Sequence, residues 1–457
     1  MWRAIMNWRI KCMFPLLAFA VTYQAHGESK IRATYRGDLA PVIGQKVASE
    51  LDNWLAFYTD LHTHPELSLH EERSAGKIAD GLRAKGYEVT TGVGGHGVVG
   101  VLKNGDGPTV LIRGDMDALP VVEETGLPYQ STVQVTKPDG QIVGVMHACG
   151  HDVHQTVLVA TAGVLADTRD KWRGTLVMIA QPAEEIGTGA LAMIRDGLFE
   201  RFPKPDYCLA LHVADDLPTG DIGYTSGWAL ANVDSVDITI YGRGGHGSRP
   251  SQAIDPIVAA AHVIVALQTI VSRRVPAIEP GVVTVGSIHA GAKHNIIPND
   301  AKLLLTVRSY TEDTRRILLD GIRDVTVSTC RAMGCTRDPD VTVREDEFTP
   351  ATYNDPALTD AAVEVLGRVV GADHVLFQKP KMGGEDFGRY PKHLNVPGFI
   401  FWLGSVNVDR FAASQAPGGP PLPSVHSSKY APDPGPTIST GVKCMASVAL
   451  SLLGAPE

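Results

Sequence analysis

The run His147-Ala-Cys-Gly-His-Asp-Val-His154 places five potential metal-ligand side chains within eight residues. Thiolate, imidazole and carboxylate are the groups that divalent transition metals take together. Gly150 lies between Cys149 and His151, where a glycine lets the backbone turn so that both side chains face one point. The same run also reads as a buried polar loop with hydrogen-bonded histidines. The adjacent pair Glu184 and Glu185 is a second signal. One such carboxylate can hold metal while its neighbour takes a proton from an attacking water and passes it to a leaving amine. The pair also reads as a solvated acidic opening to a helix, which the helix dipole favours. His62-Thr-His64 looks like a ligand pair, but it follows a helix and precedes Pro65, where structural hydrogen bonding is commoner. It is left out of the metal set, as are His289 and His294.

These residues need elements to hold them. Apolar residues recur at helical spacing from Val42 to Tyr58, and Glu71 to Lys85 reads as a helix closed by Gly86. Strand-like runs follow at Tyr87–Thr90, Gly97–Leu102 and Thr109–Arg113. A helix is predicted over Val157–Leu165, a strand over Gly174–Ala180, a short helix over Ala190–Gly197 and a strand over Tyr207–Leu211. This alternation predicts an α/β fold with a mostly parallel sheet. Three of the strands run into polar residues: Thr109–Arg113 into Asp115 and Asp117, Gly174–Ala180 into Glu184 and Glu185, and Tyr207–Leu211 into His212. Sites in open parallel sheets form at the carboxyl ends of strands.

The pattern changes after Gly227. Strands are predicted over Val233–Tyr241, Gly281–Ile288, Asp300–Arg308 and Asp340–Arg344, with helices over Asp255–Arg273 and Thr311–Ala332. This β-α-β-β-α-β order is the split βαβ, ferredoxin-like α+β arrangement, in a unit of about 120 residues. Helices resume over Pro356–Val370 and Thr437–Leu453, and the Pro- and Gly-rich stretch Ala412–Pro423 should be a loop. The simplest organisation is one domain from residues 40–227 and 350–457, with residues 230–345 inserted.

The 457 residues carry a net charge of −9 with both signs spread along the chain. The absence of a basic block excludes a nucleic-acid partner. Arg3, Arg9 and Lys11 precede an uncharged stretch, Cys12–Gln24, that is shorter than the roughly 20 residues of a membrane span. With the small residues Ala25 and Gly27, it reads as a signal peptide over residues 1–27, so the chain is expected to be exported, to a periplasm. No later segment reads as a membrane span. Cysteines stand at 12, 149, 208, 330, 335 and 444. Five remain after leader removal, an odd number that cannot all pair. Cys330 and Cys335 are close enough in sequence for a disulfide, and equally read as two reduced buried thiols.

Taken together, the runs resemble the aminoacylase and carboxypeptidase superfamily of two-metal hydrolases, in the branch of hippurate hydrolases and indoleacetyl-amino-acid hydrolases. The matching segments are Asp60-Leu-His-Thr-His-Pro-Glu-Leu-Ser68, Arg113-Gly-Asp-Met-Asp-Ala-Leu-Pro120, Met146-His-Ala-Cys-Gly-His-Asp152 and Gln181-Pro-Ala-Glu-Glu185. Leu211-His-Val213, Gly244-Gly-His-Gly247, Asn295-Ile-Ile-Pro298 and Gly383-Gly-Glu-Asp-Phe387 follow in the same order. The resemblance implies two divalent ions per chain, zinc, manganese, cobalt or nickel. Cys149 would be shared between them, with His151 and His212 on one and Glu185 and His426 on the other. It implies Glu184 as general base and then acid, Asp117 behind the ligands, and His246 and Asn295 at the oxyanion. Arg308 and the Gly384 N–H would hold a substrate carboxylate. It makes the inserted unit a lid and dimerisation domain, with His246 reaching the partner subunit's site in a homodimer. The implied reaction is hydrolysis of an N-acyl or aryl-acyl amino acid. A dipeptidase or carboxypeptidase acting on a short peptide is the alternative, and a binding protein without catalysis the third reading. The chain departs from the pattern at Ile186, where a glycine is usual, at Ser428, where a proline is expected, and at His294.

Overall fold

The computed structural model describes residues 31, 33–137 and 140–456. The leader expected over residues 1–27 lies outside the described residues. An eight-stranded sheet organises the larger part of the molecule. Its spatial order is Glu88–Val93, Gly97–Asn104, Gly174–Gln181, Thr109–Asp115, Tyr207–Pro218, Gly398–Val406, Ile222–Tyr224 and Val375–Phe377. The four strands from Gly174–Gln181 to Gly398–Val406 run parallel. Alternate residues of each serve opposite faces, as the two-residue period of a strand requires. Val110, Ile112, Leu209 and Phe399 pack with the helices Ala40–Thr63, His151–Asp167 and Pro434–Leu452. Leu111, Cys208, Ala210 and Ile400 pack on the other side with Met193, Phe199 and Tyr390.

The second sheet is built from residues 232–343 in the order Gly281–Ala290, Asp300–Ser309, Asn232–Tyr241, Asp340–Val343. All its pairings are antiparallel. The helices Pro256–Arg273 and Glu312–Ala332 pack against it around Ala260, Val263, Leu303 and Leu318. The split βαβ order read from the sequence is therefore the observed one. Gly227–Leu230 and Thr352–Asn354, which flank this segment in the chain, pair with each other.

Three readings need correction, and one strand escapes the sequence reading. Strand Tyr207–Pro218 continues seven residues beyond Leu211, so His212 lies within it. Gly398–Val406 is a central strand that no polar–apolar alternation announces, because all nine of its residues are buried. Val408–Gln415 is a helix, so the Ala412–Pro423 stretch begins helical. Asn407 caps that helix by accepting from the Asp409 and Arg410 N–H groups. Finally, Pro256–Arg273 is long and apolar enough to cross a membrane by length and composition, with a mean hydropathy of 1.5. Asp255 caps its start, and Ala259, Ala260, Val263, Leu267 and Ile270 face the sheet. Ile257, Val258 and Val265 are 40%, 50% and 71% exposed on the helix.

Candidate active site

The strand Thr109–Asp115 delivers Asp115 and, two residues on, Asp117. Asp117 is buried and accepts from the Glu184 N–H at 3.1 Å, the Glu185 N–H at 2.9 Å and Ser68 Oγ at 2.6 Å. It thereby fixes the turn that carries both glutamates. Ala183, just before them, has φ 52, a conformation disfavoured for a residue with a Cβ. Its N–H donates to Glu71 Oε1 at 2.8 Å. Glu71 is buried and 112 residues away in sequence, so this brace was not legible in the local pattern.

Gly150 has φ 76 and caps the helix that begins at His151. A Cβ there would stand 2.7 Å from Val213 Cγ2, so the position needs glycine both for conformation and for space. The turn aims Cys149 and His151 at strand Tyr207–Pro218. His212 Nδ1 donates to the Val213 carbonyl at 2.8 Å, which fixes the tautomer and leaves Nε2 as the lone-pair nitrogen, 3.4 Å from Cys149 Sγ. On the other side His426 Nε2 lies 3.3 Å from Cys149 Sγ and 3.5 Å from Glu185 Oε2. His426 has φ 68 and is held by its N–H donating to the Ala148 carbonyl at 2.8 Å. His151 Nε2 is 3.7 Å from Glu185 Oε1 and 3.8 Å from Glu184 Oε2, while its Nδ1 is 3.4 Å from Asp117 Oδ1.

The donors form two sets that share Cys149, one with His151 and His212, the other with Glu185 and His426. Both ring nitrogens of His151 and Glu185 Oε1 are buried without a hydrogen-bond partner. Buried polar atoms are ordinarily satisfied, so these groups are arranged for something other than one another. Burial, reinforced by Glu185, Glu184 and Asp115, pushes the Cys149 thiol well above its usual range. Burial likewise lifts Glu185 to about 7, and burial with Glu385 and Glu185 lifts Glu184 well above the carboxylate range. Burial opposes the charge of His151, yet Asp115, Asp117 and Glu185 outweigh it and raise its pKa to about 10. A divalent cation held by these donors would displace their protons. The mixed sulfur, nitrogen and oxygen donors fit such an ion.

Cys149, Glu184, Glu185, His212, Arg308, Gly384 and His426 line one cavity of about 940 Å³. Arg308 comes from the second sheet. Its half-buried guanidinium makes no hydrogen bond or ion pair with a described residue, and burial lowers its pKa. A Cβ at Gly384 would meet Val233 Cγ2 at 2.4 Å and stand 3.6 Å from Arg308 Nη1. Ile186 reaches into the same cavity and is 45% exposed. Ser428 Oγ donates to Glu124 Oε2 at 2.8 Å, tying the segment after His426 to the 120s.

His246 and Asn295 are not brought to this cavity. They sit together where Gly245–His246 pairs antiparallel with Ile296–Ile297 in the inserted segment; Gly247 N–H donates to the Asn295 carbonyl at 2.8 Å and His246 is exposed. His62 is buried between Asp152, 2.7 Å from Nδ1, and Glu123, 3.1 Å from Nε2, which accords with a structural role. His154, a possible ligand by sequence, donates from Nδ1 to Asp115 Oδ1 at 2.6 Å and accepts the Val213 N–H at 2.9 Å. The sequence reading also missed the ionic cluster beside Glu184, formed by Arg113, Asp115, Glu385 and Asp386. The runs Arg-Gly-Asp-Met-Asp and Gly-Gly-Glu-Asp contain its members but give no sign of their pairing.

Comparison with known proteins gives a consistent picture. The model of peptidase family M20/M25/M40 matches residues 111–417. The chain is 36% identical over 363 residues to thermostable carboxypeptidase 1 of Saccharolobus solfataricus, covering 78% of this chain and 87% of that protein. It is 40% identical over 335 residues to hippurate hydrolase of Campylobacter jejuni, covering 72% and 82%. Among solved structures, a dinuclear metal binding peptidase of the M20 family from Bacillus subtilis superposes with a TM-score of 0.70 at 29% identity, covering 88% of this chain and 98% of that one.

Proposed function

The chain belongs to peptidase family M20/M25/M40, and from that premise we propose that it is a metal-dependent amidohydrolase cleaving the amide bond of N-acyl or aryl-acyl amino acids. The observation that carries this reading is one cavity lined by Cys149, His212, Glu185 and His426, members of both Cys149-sharing donor sets, and by the unpaired Arg308 guanidinium. Two divalent ions, of zinc, manganese, cobalt or nickel, would be held by Cys149, His151, His212, Glu185 and His426. Bound there, they supply Lewis acidity and make water a nucleophile at neutral pH.

The chain's own residues then divide the work. Glu184 takes the proton of the attacking water on its carboxylate and returns it to the nitrogen of the leaving amine. Asp117 keeps Glu184 and Glu185 in register through their backbone N–H groups. Arg308 pairs with the free carboxylate of the amino acid, for which a guanidinium fork is the matching donor, and the Gly384 N–H shares that carboxylate.

The carboxypeptidase relative favours a second reading, a dipeptidase or carboxypeptidase. A free substrate amine needs an acidic partner, and apart from Glu184 and Glu185 the acids at the cavity wall are engaged: Glu385 with Arg113, Asp346 and Glu347 with Arg344, Asp215 with the Val425 N–H. Assaying the metal-loaded mature protein on N-acyl amino acids and the matching dipeptides separates the readings. Faster cleavage of the acyl substrates is expected. Faster cleavage of dipeptides would replace the proposal with the alternative, and metal binding without hydrolysis of either would leave a binding protein.

Two further features belong to the same proposal. A homodimer through residues 230–345 is supported by the edge strand Gly281–Ala290 beside the bare apolar face of helix Pro256–Arg273. In it, His246 of the partner subunit, with Asn295, would serve the oxyanion. Light scattering at twice the chain mass is the expected result, and a monomer at assay concentration would remove it. Export to a periplasm is supported by the charge pattern of residues 1–27. Mass spectrometry of the mature protein should find these residues gone, and retention of Met1 would overturn it.

A further inference from the structure

Two cysteines meet at the end of helix Glu312–Ala332. Cys330 is buried in its last turn, and Cys335 is half-buried just beyond it. Gly334 between them has φ 73. Its N–H donates to the Arg331 carbonyl at 3.1 Å, and the Cys335 N–H donates to the Cys330 carbonyl at 3.0 Å. This pair of bonds is the Schellman arrangement, in which the two residues joined by the longer bond also bring their side chains into contact. Ordinarily that contact is hydrophobic. Here both side chains are free thiols, and both lie against the same core. They pack on the core between the second sheet and its helices. The other cysteines of the described residues have no such neighbour. Cys208 and Cys444 are fully buried on opposite faces of the large sheet, and Cys149 belongs to the metal-donor cluster.

We propose that Cys330 and Cys335 are a redox-modification site, closing to a disulfide across the helix end by exchange with a small disulfide of the glutathione class. The Cys335 thiolate, the more accessible of the two, attacks one sulfur of oxidised glutathione and releases one glutathione thiolate. The Cys330 thiolate then attacks the Cys335 sulfur of the mixed disulfide and releases the second. The two cysteines are oxidised, one glutathione disulfide is reduced to two thiols, and the two thiol protons end on the glutathione thiolates. Burial raises both thiols, Cys330 to about 12, and the greater exposure of Cys335 is what places the first attack there. No group of the hydrolytic site takes part, so the inference stands apart from the proposed activity.

Trypsin offers a direct test, because Arg331 separates the two cysteines. The full-length chain is incubated with excess oxidised glutathione, blocked with an alkylating reagent and digested without reduction. The expected product is the peptide Asp324–Arg331 joined to Ala332–Arg337, two hydrogen masses lighter than the sum of its free halves and separated by reductant. Cys208 and Cys444 should be recovered alkylated after denaturation. Cys335→Ser should abolish the joined peptide and leave Cys330 alkylated. Recovery of both cysteines as free thiols, of Cys335 only as a stable glutathione adduct, or of either joined to a different cysteine would overturn the proposal. Because the readout is a peptide mass, it is indifferent to metal content and to hydrolysis.

Discussion

Two clusters of polar and titratable side chains flank Glu184. On one side are Cys149, His151, His212, Glu185 and His426; on the other, Arg113, Asp115, Gln181, Glu385 and Asp386. The second cluster is closed on itself. Arg113 reaches Asp115 at 2.6 Å, Glu385 at 2.8 Å, Asp386 at 3.2 Å and Gln181 at 2.9 Å. Gln181 Nε2 and the Ala190 and Phe387 N–H groups take up further carboxylate oxygens. The first cluster has similar chemistry but leaves both nitrogens of His151 and one oxygen of Glu185 without partners. A structural ion cluster supplies its own cation, whereas a metal site is a set of anions and lone pairs held together by other means. Those means are visible in Asp117 beneath the glutamates, the glycine turn at 150 and the backbone bond that holds His426.

The contrast is tested most severely at Glu184, which belongs to neither donor set that shares Cys149. Glu184→Gln should lower turnover by roughly 10²–10⁴-fold, the usual range for general acid–base help. Its metal content by mass spectrometry should be unchanged. Turnover near that of the parent would dissolve the distinction between the base and the ligands. Arg113→Met strikes the closed cluster. It removes the guanidinium shared by three buried carboxylates and should cost about 3–5 kcal/mol of unfolding free energy in denaturant. A loss below about 1 kcal/mol would mean that the carboxylates are already largely protonated, a tendency that burial gives Asp386, whose pKa lies at about 7.

A smaller effect is expected at Arg308, the open site's remaining charge. Arg308→Ala should weaken the hold on a carboxylate substrate by about 1.5–3 kcal/mol, read mainly in KM. A methyl-ester substrate should be hydrolysed alike by variant and parent. Equal loss on acid and ester would place Arg308 outside substrate binding.

The smallest effect concerns pH and a second closed pair of carboxylates. Burial opposes protonation of His62, but Asp152 and Glu123 outweigh it and bring its pKa to about 9, against an ordinary 6.5 for histidine. A raised pKa in the folded state stabilises below the unfolded value and ceases to do so as pH climbs through the folded one. The stability gap between the parent and His62→Gln should therefore narrow from pH 6.5 to 9. A gap constant over that window would show that His62 is held as a neutral ring.

Much of the open site is legible in the sequence, because metal donors are rare residue types that cluster in short runs and at strand ends. His147-Ala-Cys-Gly-His and Glu184-Glu185 announce themselves. The closed cluster is not legible: Arg113 and Glu385 are 272 residues apart, and a lone arginine within an apolar strand carries no mark of its partners. The split βαβ unit is read well because its sheet shows one face to its helices and one to solvent, as the alternating burial of Asn232–Tyr241 shows. Gly398–Val406 is read poorly for the opposite reason: buried on both faces, it has no period to detect. Helix Pro256–Arg273 is a third case: it is read as a helix of the inserted unit, while its apolar outer face gives it the length and composition of a membrane span.

That hidden strand also bears on how the molecule is made. Gly398 pairs with Cys208, so the middle of the large sheet awaits a partner synthesised about 190 residues later, roughly 10–40 s at ordinary ribosomal rates. Until then Tyr207–Pro218 presents an open backbone edge flanked by apolar side chains, the kind of surface on which nascent chains aggregate. Completion of the sheet is thereby deferred until residues 398–406 have been made, and a chain truncated before residue 398 should depend on chaperones for its solubility.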